Sequence, residues 1–505
     1  MTATVPDDVT VEFGPLEERG VLLGVSAPSM AAMGGGVLAG LATLFLIGGT
    51  VGLLLAVALI AGGLVLGFVP LHGTRLADWA VVVVGFLARR TTGRHVWRST
   101  APQTGWVPTR PAPLPLPAAL AASRTRVANV TVGGRRVGII LDGGHAIGVL
   151  RARAAGAFLM RQPDEQAAAT AHWAEVIGSI ADPGSPWVRL QWIDTTTPGD
   201  GGGLMRYLID AGGRDVDASD LIETGRRIYE RLIRTAAPVS ESHDIFIAAA
   251  LDPARVARQV KDAGGGDTGL ATVCTRHLEA LAFKLAGGDL IVDRPLTEYE
   301  IGTRLREHVD PGERRWQSQV TADGDSEMAG VDPATAWTLA ADETFTTYRT
   351  DGAWHATLWV KEWPRRPSRV DFLAPLLLRT GSITRTLSVT MAPVDAATAL
   401  RQAEDAATSD ESDEELRGRF GVRTSGRRRR EAHAATRREE ELLDGYDDVR
   451  FSAYVTVSAP DPASLEEAVN EVMTQARAAR LRLVRLVGQQ PEAFWYTAPL
   501  CRGVR

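Results

Sequence analysis

The hydrophobic pattern divides the chain sharply near its start. From Gly20 to Thr74 no Asp, Glu, Lys or Arg occurs, and Met30 to Val69 is a nearly continuous run of apolar residues and glycine. One helix of ~20 residues crosses the ~30 Å hydrocarbon core of a bilayer, so the run predicts two spans, turning at Gly48-Gly49-Thr50. A cleaved signal peptide fits poorly, because its apolar region is shorter and follows basic residues, whereas the first 27 residues carry five acids and one Arg. Gly36/Gly40, Gly48/Gly52 and Gly63/Gly67 repeat a G-x-x-x-G spacing that lets helix backbones approach closely. Leu76–Leu87 is apolar too, carries Trp79 near its start and ends at Arg89-Arg90. It predicts an interfacial helix lying along the membrane surface, with a third, partial insertion as the alternative.

Beyond residue 100 the periodicity shortens. Six prolines between Pro102 and Pro117 predict a stiff extended linker. Arg126–Val132 and Arg136–Asp142 alternate around Gly133-Gly134, a hairpin signal. Asp164–Ala181 predicts a helix, Trp187–Thr195 a strand, Ser219–Ala236 a helix and His243–Leu251 a strand. Leu270–Ala286 predicts a helix, Asp289–Val292 a short strand and Thr297–Val309 a helix. A similar order returns later: strands at Ala353–Trp363, Ser382–Met391, Phe451–Ser458 and Leu481–Val487, with helices at Phe372–Leu378 and Asp461–Ala479. Between them lies a long polar helical region, Asp395–Asp444.

These signals divide the chain into an N-terminal tail (1–27), a transmembrane hairpin (28–72), a juxtamembrane amphipathic segment (73–99) and a Pro-rich linker (100–119). A first α+β lobe (120–320) and a second (321–505) follow, the second carrying a charged helical hairpin (395–444). The expected fold class is α+β: an N-terminal transmembrane helical hairpin, then a two-lobed α/β cytoplasmic region with mixed or antiparallel sheets. The repeat between the lobes is topological, without a residue-level period.

Charge sets the orientation. The turn between the spans has none, the N-terminal flank has Arg19, and the C-terminal flank has Arg75, Arg89, Arg90, Arg94 and Arg98. The positive-inside rule therefore puts both ends of the hairpin in the cytoplasm, in a multi-pass protein of the inner (plasma) membrane. The net charge of −6 argues against coating nucleic acid. Seven acids in Glu404–Glu415, then Arg427–Arg430 and Arg437-Arg438, predict a solvated helical hairpin with internal pairs. Nucleic-acid binding by Arg427–Arg430 is the lesser reading, since no aromatic stacking partners lie nearby.

Candidate chemistry is sparse. Of 55 basic residues only Lys261, Lys284 and Lys361 are lysine, and none sits in a phosphate-binding loop. Gly143–Gly148 has the G-x-x-x-x-G spacing but continues Val149-Leu150, without the Lys and hydroxyl that reach phosphate and magnesium. His172, His243, His277 and His308 are isolated, no H-E-x-x-H or G-x-S-x-G occurs, and Cys274 and Cys501 are too few for a disulfide scaffold or a cysteine zinc site. No catalytic, cofactor-binding or metal-ligating residue is nominated, and no cofactor or enzymatic activity is expected.

Two stretches carry a resemblance. Phe13-Gly14-Pro15-Leu16-Glu17 and Arg19–Gly24, followed by two spans, Asp78-Trp79 and Trp97-Arg98, are similar to the PrgI-like membrane subunits encoded with type IV secretion and conjugation systems of Gram-positive bacteria. The opening also resembles actinobacterial membrane proteins encoded beside conjugation-type ATPases. At the other end, Glu441–Gly445, Phe451–Ser458, Leu481–Val487, Gln489–Phe494 and Ala498-Pro499-Leu500 resemble the last part of the N-terminal domain of VirB-type conjugation ATPases, in which a Gln-x-x-x-Phe stretch and a Pro-Leu pair precede the motor. No motor motif is present, so ATP hydrolysis is not implied. The resemblance implies a non-catalytic scaffold that docks a separate motor ATPase and other subunits of one conjugation or type IV-like secretion apparatus. The bilayer and a second copy of the chain are its further expected partners, and direct nucleic-acid binding is not expected. An EccE-like subunit of type VII secretion is the alternative within transport, and a membrane-anchored transferase the alternative outside it.

Overall fold

The computed structural model describes residues 27–71, 74–99, 116–154, 161–182, 184–198, 241–287, 290–314, 330–378, 383–394 and 448–504, with a few isolated positions including 10–11 and 13. Most of the Pro-rich linker, most of Ser219–Ala236 and nearly all of the charged hairpin 395–444, with Arg427–Arg430, lie outside the described residues.

Two helices, α1 (Ala27–Ile47) and α2 (Gly49–Phe68), are long and apolar enough to cross a membrane. They break at Gly48, where Gly48 and Gly49 take φ values of 60° and 63° that favour glycine. The helices pack antiparallel on the G-x-x-x-G faces. A Cβ on Gly36 would lie 2.9 Å from both Gly63 Cα and the Leu59 carbonyl, and one on Gly63 would lie 2.8 Å from the Ala32 carbonyl. Leu38, Phe45, Leu46 and Leu54 face outward, as expected for lipid contact. Helix α3 (Leu76–Thr91) folds back against both spans.

Beyond α3, the main sheet among the described residues is antiparallel and has thirteen strands. These are β1 (Val96–Arg98), β2 (Arg126–Val132), β3 (Arg135–Asp142), β4 (His145–Ala154), β5 (Trp187–Pro198), β6 (Glu241–Leu251), β7 (Leu290–Pro295), β8 (Ala340–Glu343), β9 (Tyr348–Thr350), β10 (Ala353–Glu362), β11 (Thr384–Val394), β12 (Asp448–Ala459) and β13 (Arg482–Arg485). Their order is β1-β8-β9-β10-β12-β11-β5-β6-β4-β3-β2, with β7 beside β4 and β13 beside β10. Among the described residues, the four longer helices of this part are α4 (Pro163–Ala181), α5 (Gly266–Ala286), α6 (Glu298–Val309) and α7 (Pro462–Ala478).

This order contains a repeat. In the first half β4, α4, β5, β6, α5 and β7 form a β-α-β-β-α-β unit with strands side by side as β7-β4-β6-β5, a ferredoxin-like arrangement. In the second half β10, the short helix Ala374–Leu377, β11, β12, α7 and β13 repeat it as β13-β10-β12-β11. The equivalent edge strands, β5 and β11, pair antiparallel from Arg385↔Thr196 to Met391↔Leu190, which relates the two halves by an approximate two-fold axis normal to the sheet. The two lobes expected from sequence therefore share a single sheet.

Each face carries its own core. On one face α4 and α5 cover Val137, Ile139, Leu150, Leu190 and Ile247, while α7 covers Leu358, Leu387, Val455 and Val457. On the other, α6 and the C-terminal residues cover Ile140, Val149, Ile193 and Phe246. Strands β3, β4 and β6 are buried on both sides over most of their length, which is why their later residues read as apolar runs. Gly143–Gly148 is no phosphate loop. Gly143 and Gly144, at φ 55° and 86°, form the two-residue turn between β3 and β4, and Gly133-Gly134, at 59° and 80°, form the one between β2 and β3. Helix α6 starts with the Thr297/Glu300 capping box, and α7 with Asp461 accepting from Ala463 and Ser464 N–H groups.

A branched side chain at the hairpin contact should force the spans apart. We expect Gly36→Val to destabilise the packed hairpin by roughly 1–3 kcal/mol through overpacking and to speed hydrogen exchange of α1 and α2 in detergent micelles. Gly62→Val, which faces open space, should leave exchange unchanged.

Candidate functional site

The feature that distinguishes this protein from a soluble α+β body is the junction between the hairpin and the sheet, and α3 makes it. One side of α3 is buried: Phe86 meets Phe345 edge-to-face at 5.2 Å between ring centroids. Val82 lies against Gly488, where a Cβ would sit 2.8 Å from Val82 Cγ1, and Gly488 has φ 67°. Glycine is required there on both counts. On the other side Val81, Val84 and Leu87 are exposed, an apolar stripe suited to lie on lipid as the sequence pattern predicts.

The last turn of α3 carries the polar half of the junction. Arg89 donates from Nε to Glu343 Oε2 at 2.9 Å and from Nη2 to Glu343 Oε1 at 2.7 Å, and Nη2 also donates to the Gly488 carbonyl. The Glu343 side chain is only 2% exposed and that of Arg89 27%, so the fork is a partly buried bidentate pair, the strong kind. The hydrogen bond to Glu343 holds the Arg89 pKa above its ordinary value. Beyond α3 the chain enters the sheet as β1: Trp97 pairs with Ala341, the Glu343 N–H donates to the His95 carbonyl at 2.8 Å, and Arg98 bridges Asp342. Two of the five arginines on the C-terminal flank of the hairpin are thus bonded to adjacent carboxylates of β8. Nothing local in the sequence signals those partners, which lie more than 240 positions away.

The segment before α1 reaches the same body. Thr10–Val11 pairs with Ser368–Arg369, and Phe13 stacks on Trp363 at 4.9 Å and meets Phe372 edge-on at 5.3 Å. Both flanks of the hairpin therefore end on one structure.

The C-terminal residues 489–504 form a strap across the face opposite α4, α5 and α7. Gln490, in the Gln-x-x-x-Phe stretch, accepts from Thr357 N–H at 2.8 Å and donates to the carbonyls of Thr357 and Leu486. Gln191 of β5 places Nε2 2.8–3.0 Å from Ser388 Oγ and the carbonyls of Tyr496 and Ala498, and accepts from Cys501 N–H at 2.8 Å. Thr497 bonds Thr456, Thr390 donates to the Arg502 carbonyl, and Tyr454 donates to that of Gly503. Arg502 closes the strap on Asp142 of β3, with Nε to Oδ2 at 2.8 Å. Burial alone would raise the Asp142 pKa, but Arg502 holds it below its ordinary value.

The structure brings together histidines that look isolated in the sequence. His308 stacks on Phe494 at 4.2 Å, donating from Nε2 to its carbonyl, and His355 lies 4.6 Å from the same ring, between Thr350 and Ser458 hydroxyls. Burial pushes His308 down to about 4 and His355 to about 3. His243 does the opposite. At the β5–β6 edge its Nδ1 is 3.1 Å from Asp194 Oδ1 and its Nε2 3.6 Å from Glu241, and the bond to Asp194 raises its pKa. Arg385 is buried beside them, lowered to about 10 by desolvation, and donates to the Leu377 carbonyl at 2.7 Å. On the opposite face Asp244 takes Arg151, Arg304 and Arg314. Burial would raise its pKa, but these arginines hold the carboxyl low. His172 and His277 are bonded near the surface to the Lys284 carbonyl and to Gln259.

Cys274 and Cys501 are buried free thiols with pKa values raised by desolvation, so they are inert at neutral pH. Among the described residues no group of three or more His, Cys, Asp or Glu could hold a metal ion. Searches of known protein families and of curated proteins find no match to the chain.

Two outcomes check this geometry. Arg89→Ala leaves Glu343 buried without its partner, and we expect a loss of roughly 3 kcal/mol, with faster hydrogen exchange in α3 and β1. Combined with Glu343→Gln, the loss should be smaller than the sum of the two single changes. Carbon-13 NMR of labelled histidines should show His308 and His355 neutral at pH 5.5 and His243 titrating above 6.5. Linkage gives the sign: the His243 contribution is fully present below pH 6.5 and fades as pH rises through its raised value. The two buried histidines cost stability as pH falls below 6.5, because only the unfolded chain then takes up their protons.

Proposed function

We propose that this protein is a non-catalytic scaffold of the inner membrane, a subunit of a conjugation or type IV-like secretion apparatus. Its hairpin anchors it, both ends of the chain lie in the cytoplasm, and the two halves that share the sheet dock a separately encoded motor ATPase. The observation that carries this reading is the fixed junction. Arg89, Phe86 and β1 join the spans to the sheet by buried contacts instead of a free tether. A subunit that only needed tethering would gain nothing from such a joint, whereas a scaffold that holds a motor against the bilayer requires one. Binding of Thr10–Val11 and Phe13 to the body that follows the hairpin supports a topology with both ends on one side. The arginine flank makes that side the cytoplasm.

The direct experiment has two parts. Reporter fusions at Ala101 and after Arg505 should both give cytoplasmic signals, and a periplasmic signal at either overturns the topology. Affinity purification of the full chain from solubilised membranes should recover a motor ATPase from the same gene cluster. Deleting residues 28–72 leaves α3 and Arg89 in place, and should release the complex from membrane without breaking that contact. If neither form recovers the ATPase or another subunit of the apparatus, the scaffold reading fails.

A further inference from the structure

A cavity of about 390 Å³ opens where the β3–β4 turn, the short helix Ala118–Ala121 and the end of the strap meet. That volume lies within the range of small-molecule sites. Its floor is apolar, from Ile147, Ala250 and Leu500, and Ala122 stands at its mouth. Asp142 is the only carboxylate among its lining residues, and Arg502 already occupies it.

Two further polar side chains in the lining, Arg189 and His145, have no such partner among the described residues. Arg189 donates one hydrogen bond, 3.3 Å to the Cys501 carbonyl, and meets no carboxylate among the described residues. A guanidinium has five N–H donors in a planar fork, so most of the Arg189 fork is left for a ligand. The imidazole of His145 lines the same space and makes no hydrogen bond among the described residues. A weakly hydrated guanidinium beside an apolar floor selects an anion with an apolar body. One uncommitted guanidinium suits a single negative charge better than two.

We propose that this cavity binds a small organic monoanion, with a carboxylate on Arg189 and a short apolar body on Ile147, Ala250 and Leu500. His145 supplies a second donor to the carboxylate. Because Leu500 belongs to the strap and Cys501 carries the carbonyl that Arg189 now meets, occupancy stabilises the strap in its bound position by mass action. This inference is independent of the secretion reading.

The test is isothermal titration calorimetry and thermal unfolding of the full chain in lipid nanodiscs, with hexanoate as the probe. 1-Hexanol and inorganic phosphate serve as comparisons for the apolar body alone and the charge alone. Hexanoate should bind and raise the unfolding midpoint, and both comparisons should bind at least tenfold more weakly. Arg189→Gln should weaken hexanoate by about tenfold or more, the loss of a charge-assisted hydrogen bond. Ala122→Phe should also weaken it by obstructing the mouth with Arg189 intact, and decides the matter if Arg189→Gln does not fold. No binding of hexanoate, equal binding of either comparison, or unchanged affinity in the folded variants overturns the proposal.

Discussion

Everything in the sheet depends on how one polar face is satisfied. Strands β10, β11 and β12 present Thr357, Ser388, Thr390, Tyr454 and Thr456 on the side away from α7, a face that would ordinarily meet water. Here it is covered by the strap, and hydroxyls left without partners there would each cost about 1–3 kcal/mol. Gln490 and Gln191 resolve this by matching backbone groups directly. The first binds the amide and carbonyl of one β10 residue, and the second engages three backbone groups of the strap and a hydroxyl of β11. Only one register of the strap satisfies all of these at once, so the contact specifies position as well as adding stability.

That register also fixes the two halves against each other. Edge strands β5 and β11 meet along seven residue pairs, and an antiparallel pairing alone can slip by two residues while keeping its faces. Gln191 sits on β5 but bonds a β11 hydroxyl and the strap, which itself is bound to β10. A slip at the seam would break those bonds together. On the opposite face Arg385 of β11 reaches Thr196 of β5 and the Leu377 carbonyl, with Asp194 and Glu241 nearby. Buried polar groups thus pin the seam from both sides, a use of polarity for specificity that apolar packing between two related halves would not provide.

Much of the fold was legible because periodicity is local. The double span, its glycine turn, the β2–β3 hairpin and most strands and helices of both halves follow from the apolar pattern and from Gly, Pro and Asp at their ends. Strand β4 was missed because its opening, His145-Ala-Ile-Gly, resembles a glycine loop. The short strands β1, β8 and β9 were missed because each is too brief to show alternation. That the polar side of β11 and β12 is buried follows only from the strap, far away in sequence. The junction and the histidine groupings were illegible for the same reason. Arg89 finds Glu343, and His308 finds His355 across Phe494, through tertiary packing that no spacing encodes.

The junction and the strap are also continuous with each other. Arg89 bonds Glu343 on β8, one strand in from the sheet edge, and, with the same guanidinium, the carbonyl of Gly488, the residue immediately before the strap. At its far end the strap closes on Asp142 through Arg502, in the half of the sheet most distant from the spans in strand order. A single stretch, residues 489–504 with a short helix at Gln490–Phe494, therefore runs from the hairpin joint to the remote half, hydrogen-bonded along its length. The sheet cannot pivot on the hairpin without breaking the Arg89 fork, nor can its halves hinge without tearing the strap from Gln191. The contacts therefore tie the hairpin, the membrane-proximal strands and the far half of the sheet into one continuous bonded body.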